Sequence, residues 1–520
     1  MPVTARCMKA LKREIIMKKT VLFLSILICL VTADSVVADA FLDRFKKDVH
    51  RFTLDNGMTF LVVSRNHAPV VSFVTLVDTG SVDEPAGHTG IAHFLEHMAF
   101  KGTPRIGTRN WDKEKQVLKK LEQAYRELIA ARYKSDRDAR PDIDTLRREF
   151  EHLREQAEQY VDPNAYARLL QQNGATDLNA ATGSDYTMYF CSLPATKAEL
   201  WFQLESDRLA NPVFRQFYKE KQVVLEERRM RVDSDPTGRL FEEFLATAFM
   251  AHPYGEPVIG WASDIITTTR TDMAHFYNRH YFPANMTVAV VGDVTPDLVR
   301  SLADTHFSAM ETKERDMEFI TREPEQNSVR TITHKGPNQP VYVEGYHTVD
   351  SVHKDAPALD LLADILARGR LSRLYRQLVV QKGLAHAIHV SGGFPGDKYP
   401  GLLMFYAIPR QNTSLDSLSD ALHDELLKIT RDKVTFKELE RAKTRRRADL
   451  IRSLKTNLGL AITLATADVE PGGWRRMFTF LEKLQQVTAE EVRAVARTYL
   501  RSDNRTIGRL ELQETSKGEK

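Results

Sequence analysis

The sequence is poor in cysteine and tryptophan, and it has no marked excess of charge of either sign. Its 520 residues include three cysteines and four tryptophans, and the formal net charge is +3. This balance gives no reason to expect a nucleic acid or an anionic membrane as a partner. Cys7 and Cys29 lie in an N-terminal segment that we expect to be removed. Cys191 would then stand alone, which excludes an intrachain disulfide and a cysteine metal site.

The N-terminal segment 1–40 has the pattern of a secretory signal peptide. A basic start precedes the apolar run Val21–Val31, which is too short for a comfortable membrane span, and Ala38–Ala40 offers a cleavage site. Residues 1–16 are interpreted as an upstream extension, with a mitochondrial presequence as the alternative. We therefore expect a bacterial periplasmic protein with no stable membrane span after signal removal. Anchoring by an uncleaved signal is the alternative.

The length of the chain predicts more than one domain. The sequence NRHYFPANMTVAVVGDV near residue 280 is echoed by ARTYLRSDNRTIGRLEL near residue 500. Each has a helix end, an aromatic residue, a short polar turn and a strand, so two structurally similar halves are predicted. The proline- and glycine-containing segment 321–339 is the predicted linker. It would join an N-terminal half, 41–320, to a C-terminal half, 340–520.

The segment GIAHFLEHMAFKGT, from Gly90 to Thr103, is the stretch with the clearest chemistry. In a helix, His93, Glu96 and His97 share one face. Two neutral imidazoles on one turn can bind Zn²⁺, and a carboxylate beside them can take a proton from a metal-bound water. The pattern H-x-x-E-H is that of the inverzincin metallopeptidases. Apolar flanking residues predict that the helix packs against a core.

Two other segments bear on this motif. Residues 110–172 are highly charged and have helical periodicity, which predicts two antiparallel helices joined by a polar turn. A solvated hairpin without chemistry is the favoured interpretation, and a partner-binding arm is the alternative. His88 precedes the motif in a glycine-rich loop. A solvated loop histidine is favoured over a third metal ligand there.

A zinc ion held by two histidines needs a third protein ligand, and glutamate is a usual one. Glu220 and Glu227 lie seven residues apart in a predicted helix, so they share a face. Glu227 is our choice for the ligand, with Glu220 as a carboxylate that orients a ligand. Spacing alone is weak support, since glutamate is abundant in this chain. Residues 174–190 predict a turn and a strand, which at a sheet edge could accept a peptide as an added strand. An ordinary sheet strand is the alternative, and periodicity alone does not decide between the two.

Four segments together resemble the pitrilysin/insulinase/mitochondrial processing peptidase superfamily of zinc metallopeptidases. These are HFLEHMAFKGT, LNAATGSDYTMYF, EKQVVLEERRMRVDSDP and RLSRLYRQL, and the resemblance spans about Phe52 to Leu512. It implies an α+β fold of two homologous halves that enclose a chamber. Each half would be an antiparallel or mixed sheet packed with helices. The charged hairpin 110–172 would be an insertion in the first half.

The resemblance also implies roles for individual residues. His93, His97 and Glu227 would bind one Zn²⁺ per chain, and Glu220 would support them. Glu96 would be the general base that activates the zinc-bound water for hydrolysis of peptide bonds. Asn179 and Ala180 would lie on the edge strand that receives the substrate backbone. Oligopeptides or unfolded segments are the expected substrates.

The second half departs from the family pattern. Active members usually carry an arginine, and seven residues later a tyrosine, after the RLY segment, where this chain has Val379 and His386. Valine has no hydrogen-bond donor in its side chain. We therefore expect this chain to be the zinc-bearing subunit, with a related subunit lacking the zinc motif as its partner. The alternatives are a homodimer in which His386 replaces the tyrosine, and a non-catalytic peptide-binding or scaffold subunit.

Overall fold

The computed structural model describes residues 45–134, 142–313 and 319–513. The predicted signal peptide lies outside these residues. Residues 51–520 form a compact unit that contains nearly all of the described secondary structure. Within the described ranges, no helix combines the length and apolar character needed to cross a membrane.

The structure contains strands separated by single helices or by runs of helices. The strands are β1 (Val49–Thr53), β2 (Thr59–Ser64), β3 (Val70–Val77), β4 (Thr176–Thr182), β5 (Thr187–Pro194), β6 (Met286–Gly292), β7 (Arg330–Gly336), β8 (Val341–His347), β9 (Ala385–Phe394), β10 (Leu402–Pro409) and β11 (Arg505–Leu512). The helices of the first half are α1 (Ile91–Met98), α2 (Trp111–Tyr133), α3 (Ile143–Glu158), α4 (Ala165–Gln172), α5 (Ala198–Ala210), α6 (Phe217–Arg228), α7 (Pro236–Ala248), α8 (Ala262–Thr267), α9 (Arg270–His280) and α10 (Pro296–Phe307). Those of the second half are α11 (Ala356–Ala367), α12 (Leu415–Arg431), α13 (Phe436–Ser453), α14 (Asn457–Val469), α15 (Arg476–Gln486) and α16 (Ala489–Tyr499).

Apart from β1, the two sheets have the same topology. Their strand orders are β1-β2-β6-β3-β5-β4 and β7-β11-β8-β10-β9. β2 runs parallel to β6 as β7 runs parallel to β11, and the pairs that follow towards β4 and β9 are antiparallel. β6 and β11 are the strands of the sequence echo. These equivalences confirm the predicted α+β fold of two similar halves. They also make α1, which follows β3, the counterpart of α11, which follows β8.

Each half contributes a helix to the sheet of the other half. α7 belongs to the first half in sequence but packs on β7 and β11, where Leu240 and Phe244 are buried against Val343 and Leu510. α14 belongs to the second half but packs on β3 and β6. Burial of a leucine or phenylalanine side chain stabilises the fold by about 1.5–3 kcal/mol. The two halves are therefore joined through shared apolar packing as well as through the chain.

The charged tract 110–172 forms three helices, α2 to α4, where two were expected. Its apolar side does not face solvent, because Leu118, Leu121, Tyr125 and Phe150 are buried in the core of the first half. The expected solvated hairpin is therefore wrong for the parts of α2 and α3 that carry these buried residues. The predicted polar turn falls largely at 135–141, outside the described residues.

Other differences from the sequence predictions concern the position of a strand in the sheet and the predicted linker. The alternating residues Tyr186 to Phe190 mostly lie in β5, which is an interior strand between β3 and β4. The edge strand of the first sheet is β4, which carries Asn179 and Ala180. The segment 321–339, predicted as a linker, contains β7.

Candidate active site

The motif helix α1 begins at a position that few residues can occupy. Gly90, at its N-cap, has a φ of 83°, in the left-handed region, and a Cβ there would lie 2.4 Å from the carbonyl oxygen of Ile259. Glu84 takes the place of a local cap, because its carboxylate accepts hydrogen bonds from the backbone N–H groups of Gly90 (2.7 Å) and Ala92 (2.8 Å). A carboxylate also complements the positive end of the helix dipole.

The structure brings His93, His97 and Glu227 together. One donor atom from each lies within 4.8 Å of the others, and this is the one such group of potential metal ligands among the described residues. Glu227 Oε2 is 3.3 Å from His97 Nε2 and 3.8 Å from His93 Nε2. Tetrahedral ligands at about 2.0–2.1 Å from a shared zinc ion lie about 3.3 Å apart. The two nitrogens and one oxygen therefore fit Zn²⁺ in type. The distance from Glu227 Oε2 to His97 Nε2 matches this spacing, whereas the distance to His93 Nε2 is longer at 3.8 Å.

The two histidines lie in different electrostatic surroundings. Burial lowers the pKa of His93 to about 3, and the charges of His97 and Arg231 act in the same direction. Its imidazole is therefore neutral, which is the form that binds a metal. Burial acts to lower the pKa of His97 as well, but the hydrogen bond to Glu220 and the negative charges of Glu220, Glu227 and Glu96 together outweigh this effect and raise the pKa.

Glu220 links His97 to the segment that follows α1. Its Oε1 is 3.0 Å from His97 Nδ1, and its Oε2 accepts a hydrogen bond from Lys101 Nζ. Burial acts to raise the pKa of Glu220, but these hydrogen bonds lower it overall. A carboxylate on Nδ1 fixes the ring so that Nε2 faces the potential metal position. The geometry therefore agrees with the orienting role predicted for Glu220.

A buried ion pair holds the backbone around Lys101. Arg215, just before α6, pairs with Glu114 of α2 at 2.8 Å, with both side chains almost inaccessible to solvent. Arg215 also donates hydrogen bonds to the carbonyl oxygens of Lys101, Thr103 and Ile106. Glu114, near the beginning of the charged tract, is thus linked through Arg215 to the backbone of Lys101, which follows α1. Breaking a buried ion pair on one side typically costs about 3–5 kcal/mol.

Glu96 lies between the donor group and the edge strand. Its carboxylate accepts a hydrogen bond from Thr182 Oγ1, at the end of β4, at 2.8 Å. Burial raises the pKa of Glu96, although the Thr182 hydrogen bond acts in the opposite direction. A raised pKa brings a carboxylate closer to that of an effective general base near neutral pH.

A cavity of about 810 Å³ joins these groups to β4. Its lining includes His93, Glu96, His97 and Glu227 together with Asn179 and Ala180. Since β4 has one unpaired edge in the described sheet, its backbone can accept an extended peptide there. His88 is not in this lining, nor in the donor group.

Sequence reasoning missed four residues that complete the site: Glu84, Lys101, Thr182 and Arg231. Arg231 follows Glu227 by four residues, and its Nη1 lies 2.8 Å from Glu227 Oε1. The i,i+4 spacing was a signal that could have indicated this pair. Lys101 and Thr182 lie inside the conspicuous motifs, but only the folded chain places them against Glu220 and Glu96.

The two positions that depart from the family pattern differ in location. Val379 is buried in the core of the second half. His386 is on β9 and lines a separate cavity of about 470 Å³, which it shares with Asp360, Arg368 and Tyr375. The second half therefore offers an imidazole at this cavity, and position 379 contributes only packing.

Two family models match the chain. The model described as Insulinase (Peptidase family M16) matches residues 60–124 and 150–261, and the model described as Peptidase M16 inactive domain matches residues 267–446. The chain therefore belongs to the insulinase (M16) peptidase family, and the resemblance seen in the sequence is confirmed. Residues 125–149, in the middle of the charged tract, lie outside the match.

Individual relatives extend along most of the chain. Zinc protease PqqE of Helicobacter pylori is 28% identical over 452 residues, which cover 85% of this chain and 87% of the relative. A crystal structure of a protease from Helicobacter pylori has a TM-score of 0.73 at 24% identity, covering 89% of this chain and 99% of that one. The periplasmic protease PqqL of Escherichia coli gives a TM-score of 0.64 at 18% identity, and the match covers 89% of this chain but 47% of PqqL. These structures show the shared fold.

Proposed function

We propose that the protein is a zinc-dependent endopeptidase that cleaves oligopeptides or unfolded segments. The observation that carries the proposal is the position of Glu96, which lies next to the donor group His93, His97 and Glu227 in the cavity that opens on β4. A base, a metal-type donor set and a peptide-accepting strand edge are the parts that such hydrolysis needs. The names of similar zinc proteases point to the same chemistry.

Each side chain has a distinct part in the reaction. His93, His97 and Glu227 would hold one Zn²⁺, which when bound lowers the pKa of water and polarises the scissile carbonyl. Glu96 takes the proton of the attacking water and later gives it to the leaving amine. Thr182 holds the Glu96 carboxylate in place. The backbone at Asn179 and Ala180 aligns the peptide along the edge of β4.

Replacing the base while keeping the donors tests this function. We expect Glu96→Gln to lower kcat at least about 1,000-fold, with zinc still bound at one ion per chain, because the substitution removes only the proton acceptor. Chelator-sensitive cleavage of a quenched fluorescent peptide library and the zinc content of the protein are the two measurements. Glu226→Gln is the matched control, because Glu226 is exposed and pairs with Arg229. Equal activity of Glu96→Gln and the unmodified chain would refute the proposed base.

The proposed partner is a related chain that lacks the zinc motif and supplies an arginine and a tyrosine. Position 379 is a buried valine, so it supplies no guanidinium. This chain matches about half the length of PqqL, and a second chain could therefore supply the arginine and the tyrosine. The alternative is a homodimer that uses His386. Full peptidase activity from the purified chain alone would refute the need for a different subunit. Activity lost in His386→Ala but retained in His389→Ala would favour the homodimer.

A non-catalytic peptide-binding subunit is the second candidate function. The specific observation in its favour is the buried valine at position 379. Peptide binding without cleavage, by zinc-loaded protein with its partner present, would support this candidate.

We further propose that residues 1–40 direct the chain to the periplasm. Cell fractionation of the full chain and of a variant that starts at residue 41 tests this location. Periplasmic recovery of both forms would contradict it.

A further inference from the structure

Arg231 has no role in the proposed reaction, yet it lies in the wall of the same cavity. It is the one arginine or lysine among the described residues that line this cavity. Its side chain is 71% exposed, whereas that of Glu227 beside it is 15% exposed. Its guanidinium is therefore open to a bound peptide.

The backbone at Arg231 is held firmly. Arg231 lies in a π-helical turn, Arg229–Asp233, which continues α6 beyond the Glu227 position. Such turns are frequent at functional sites. Gly238, in the first turn of α7, approaches so closely that a Cβ on it would lie 1.9 Å from the carbonyl oxygen of Arg231. The π-helical turn and its close contact with α7 thus determine the backbone position from which the Arg231 side chain extends.

The charges around Arg231 define what it can bind. One of its nitrogens pairs with Glu227 Oε1, and this contact leaves the other N–H donors of the planar guanidinium available. The nearby cavity residues Val232, Val258 and Ile259 are apolar and cannot compete for these donors. A carboxylate is the group that matches a guanidinium best, because it can accept two parallel hydrogen bonds.

We propose that Arg231 determines specificity by binding an aspartate or glutamate side chain of the substrate close to the scissile bond. This inference rests on the proposed function, since the peptide must lie along β4 and cross the donor group. The alternate side chains of an extended peptide point to opposite sides. One position of the substrate is therefore expected to face Arg231, and the preference should appear at that position alone.

The experiment compares paired peptides that differ only in Asp or Lys at one position, scanned across three residues on each side of the cleaved bond. For the unmodified protein, we expect kcat/KM to favour Asp at least about fivefold at one position. Arg231→Glu should invert this ratio. Because both peptides are cleaved by the same variant, a general loss of zinc or activity cancels from the ratio.

Arg229→Glu is the matched control, because Arg229 lies in the same turn but pairs with Glu226 and does not line the cavity. It should keep the preference of the unmodified protein. Binding of the same peptide pairs to Glu96→Gln protein, followed by fluorescence anisotropy, gives a readout that does not need cleavage.

The outcomes separate this inference from the proposed function. Cleavage with no Asp preference at any scanned position, or a ratio unchanged in Arg231→Glu, would overturn the role of Arg231 and leave the peptidase intact. Absence of chelator-sensitive cleavage with an Asp preference kept in binding would support Arg231 and count against the peptidase. Absence of both cleavage and binding, with zinc bound and the partner present, would overturn both.

Discussion

The cavity of the first half and that of the second half occupy equivalent places in two copies of one topology. α1 carries HFLEH over residues 93–97, and its counterpart α11 carries DLLAD over residues 360–364. Both helices bury the two apolar residues in the middle of this pattern. The positions of the two histidines are taken by Asp360 and Asp364, and that of the base by Ala363.

The helix that faces each motif differs in the same way. In the first half, α6 presents Glu220 and Glu227, seven residues apart. In the second half, α13 presents Glu438 and Arg445 with the same spacing, and Arg445 pairs with Asp364 at 2.6 Å. Arg446 pairs with Asp360. The second half thus satisfies its charges internally. The fold therefore provides the positions, while the residue types at four of them decide between a metal-type site and an ion-pair cluster.

The largest predicted contrast concerns metal binding. His97→Ala should weaken zinc binding by more than about 100-fold, because it removes one of the three proposed ligands. Asp364→Ala, at the equivalent position, should leave the zinc content unchanged. It should instead lower the free energy of unfolding by about 3 kcal/mol, because Arg445 loses its partner. Zinc titration with a competing chromophoric chelator and urea unfolding measure the two effects. Zinc loss in both variants would contradict the assignment of the metal to the first half.

A smaller effect is expected at Lys101, which contacts no donor atom directly. Lys101→Met should weaken zinc binding about tenfold, because Glu220 loses a charged partner and holds His97 Nδ1 less firmly. Lys101→Arg should restore most of the affinity. Thermal unfolding of the zinc-free proteins is the control, since a purely structural role would lower stability without a separate loss of affinity. Equal zinc affinity in all three proteins would refute the link through Glu220.

The smallest effect concerns Glu438, the counterpart of Glu220. Burial acts to raise its pKa, but hydrogen bonds from Arg373 and Thr435 outweigh this and lower the pKa from an ordinary 4.5 to about 2. A lowered pKa in the folded state stabilises the protein above about pH 4.5, and this contribution is lost as the pH falls towards 2. Glu438→Gln should therefore cost about 1 kcal/mol at pH 7, and the difference from the unmodified protein should shrink below pH 4.5. Urea unfolding at pH 7 and pH 3 measures both values. A difference independent of pH would contradict the assigned pKa.

Much of this organisation could be predicted from local pattern. The bounds of β3, the position of α1 and the two similar halves follow from apolar periodicity and from the echo between β6 and β11. The motif spacing also predicted that His93, Glu96 and His97 share a face. The prediction that Glu227 lies beside both histidines was better supported by family resemblance than by spacing, because many glutamates have suitable periodicity.

What could not be predicted depends on contacts between distant segments. The cap on α1 comes from Glu84, and the support of His97 runs through Lys101, Arg215 and Glu114, which lie on separate elements. No local period relates these residues. The position of β5 in the sheet was left open for a similar reason, because strand alternation does not indicate which of two neighbouring strands ends the sheet.

The exchange of α7 and α14 between the halves has a consequence for the order in which the protein can be completed. β3 and β6 are complete at Gly292, but the helix that covers one of their faces begins at Asn457. During synthesis, part of the apolar surface of the first sheet therefore stays uncovered until most of the chain has been made. A ribosome-bound fragment that ends before residue 457 is expected to depend on chaperones. The two halves are thus expected to reach their native state together.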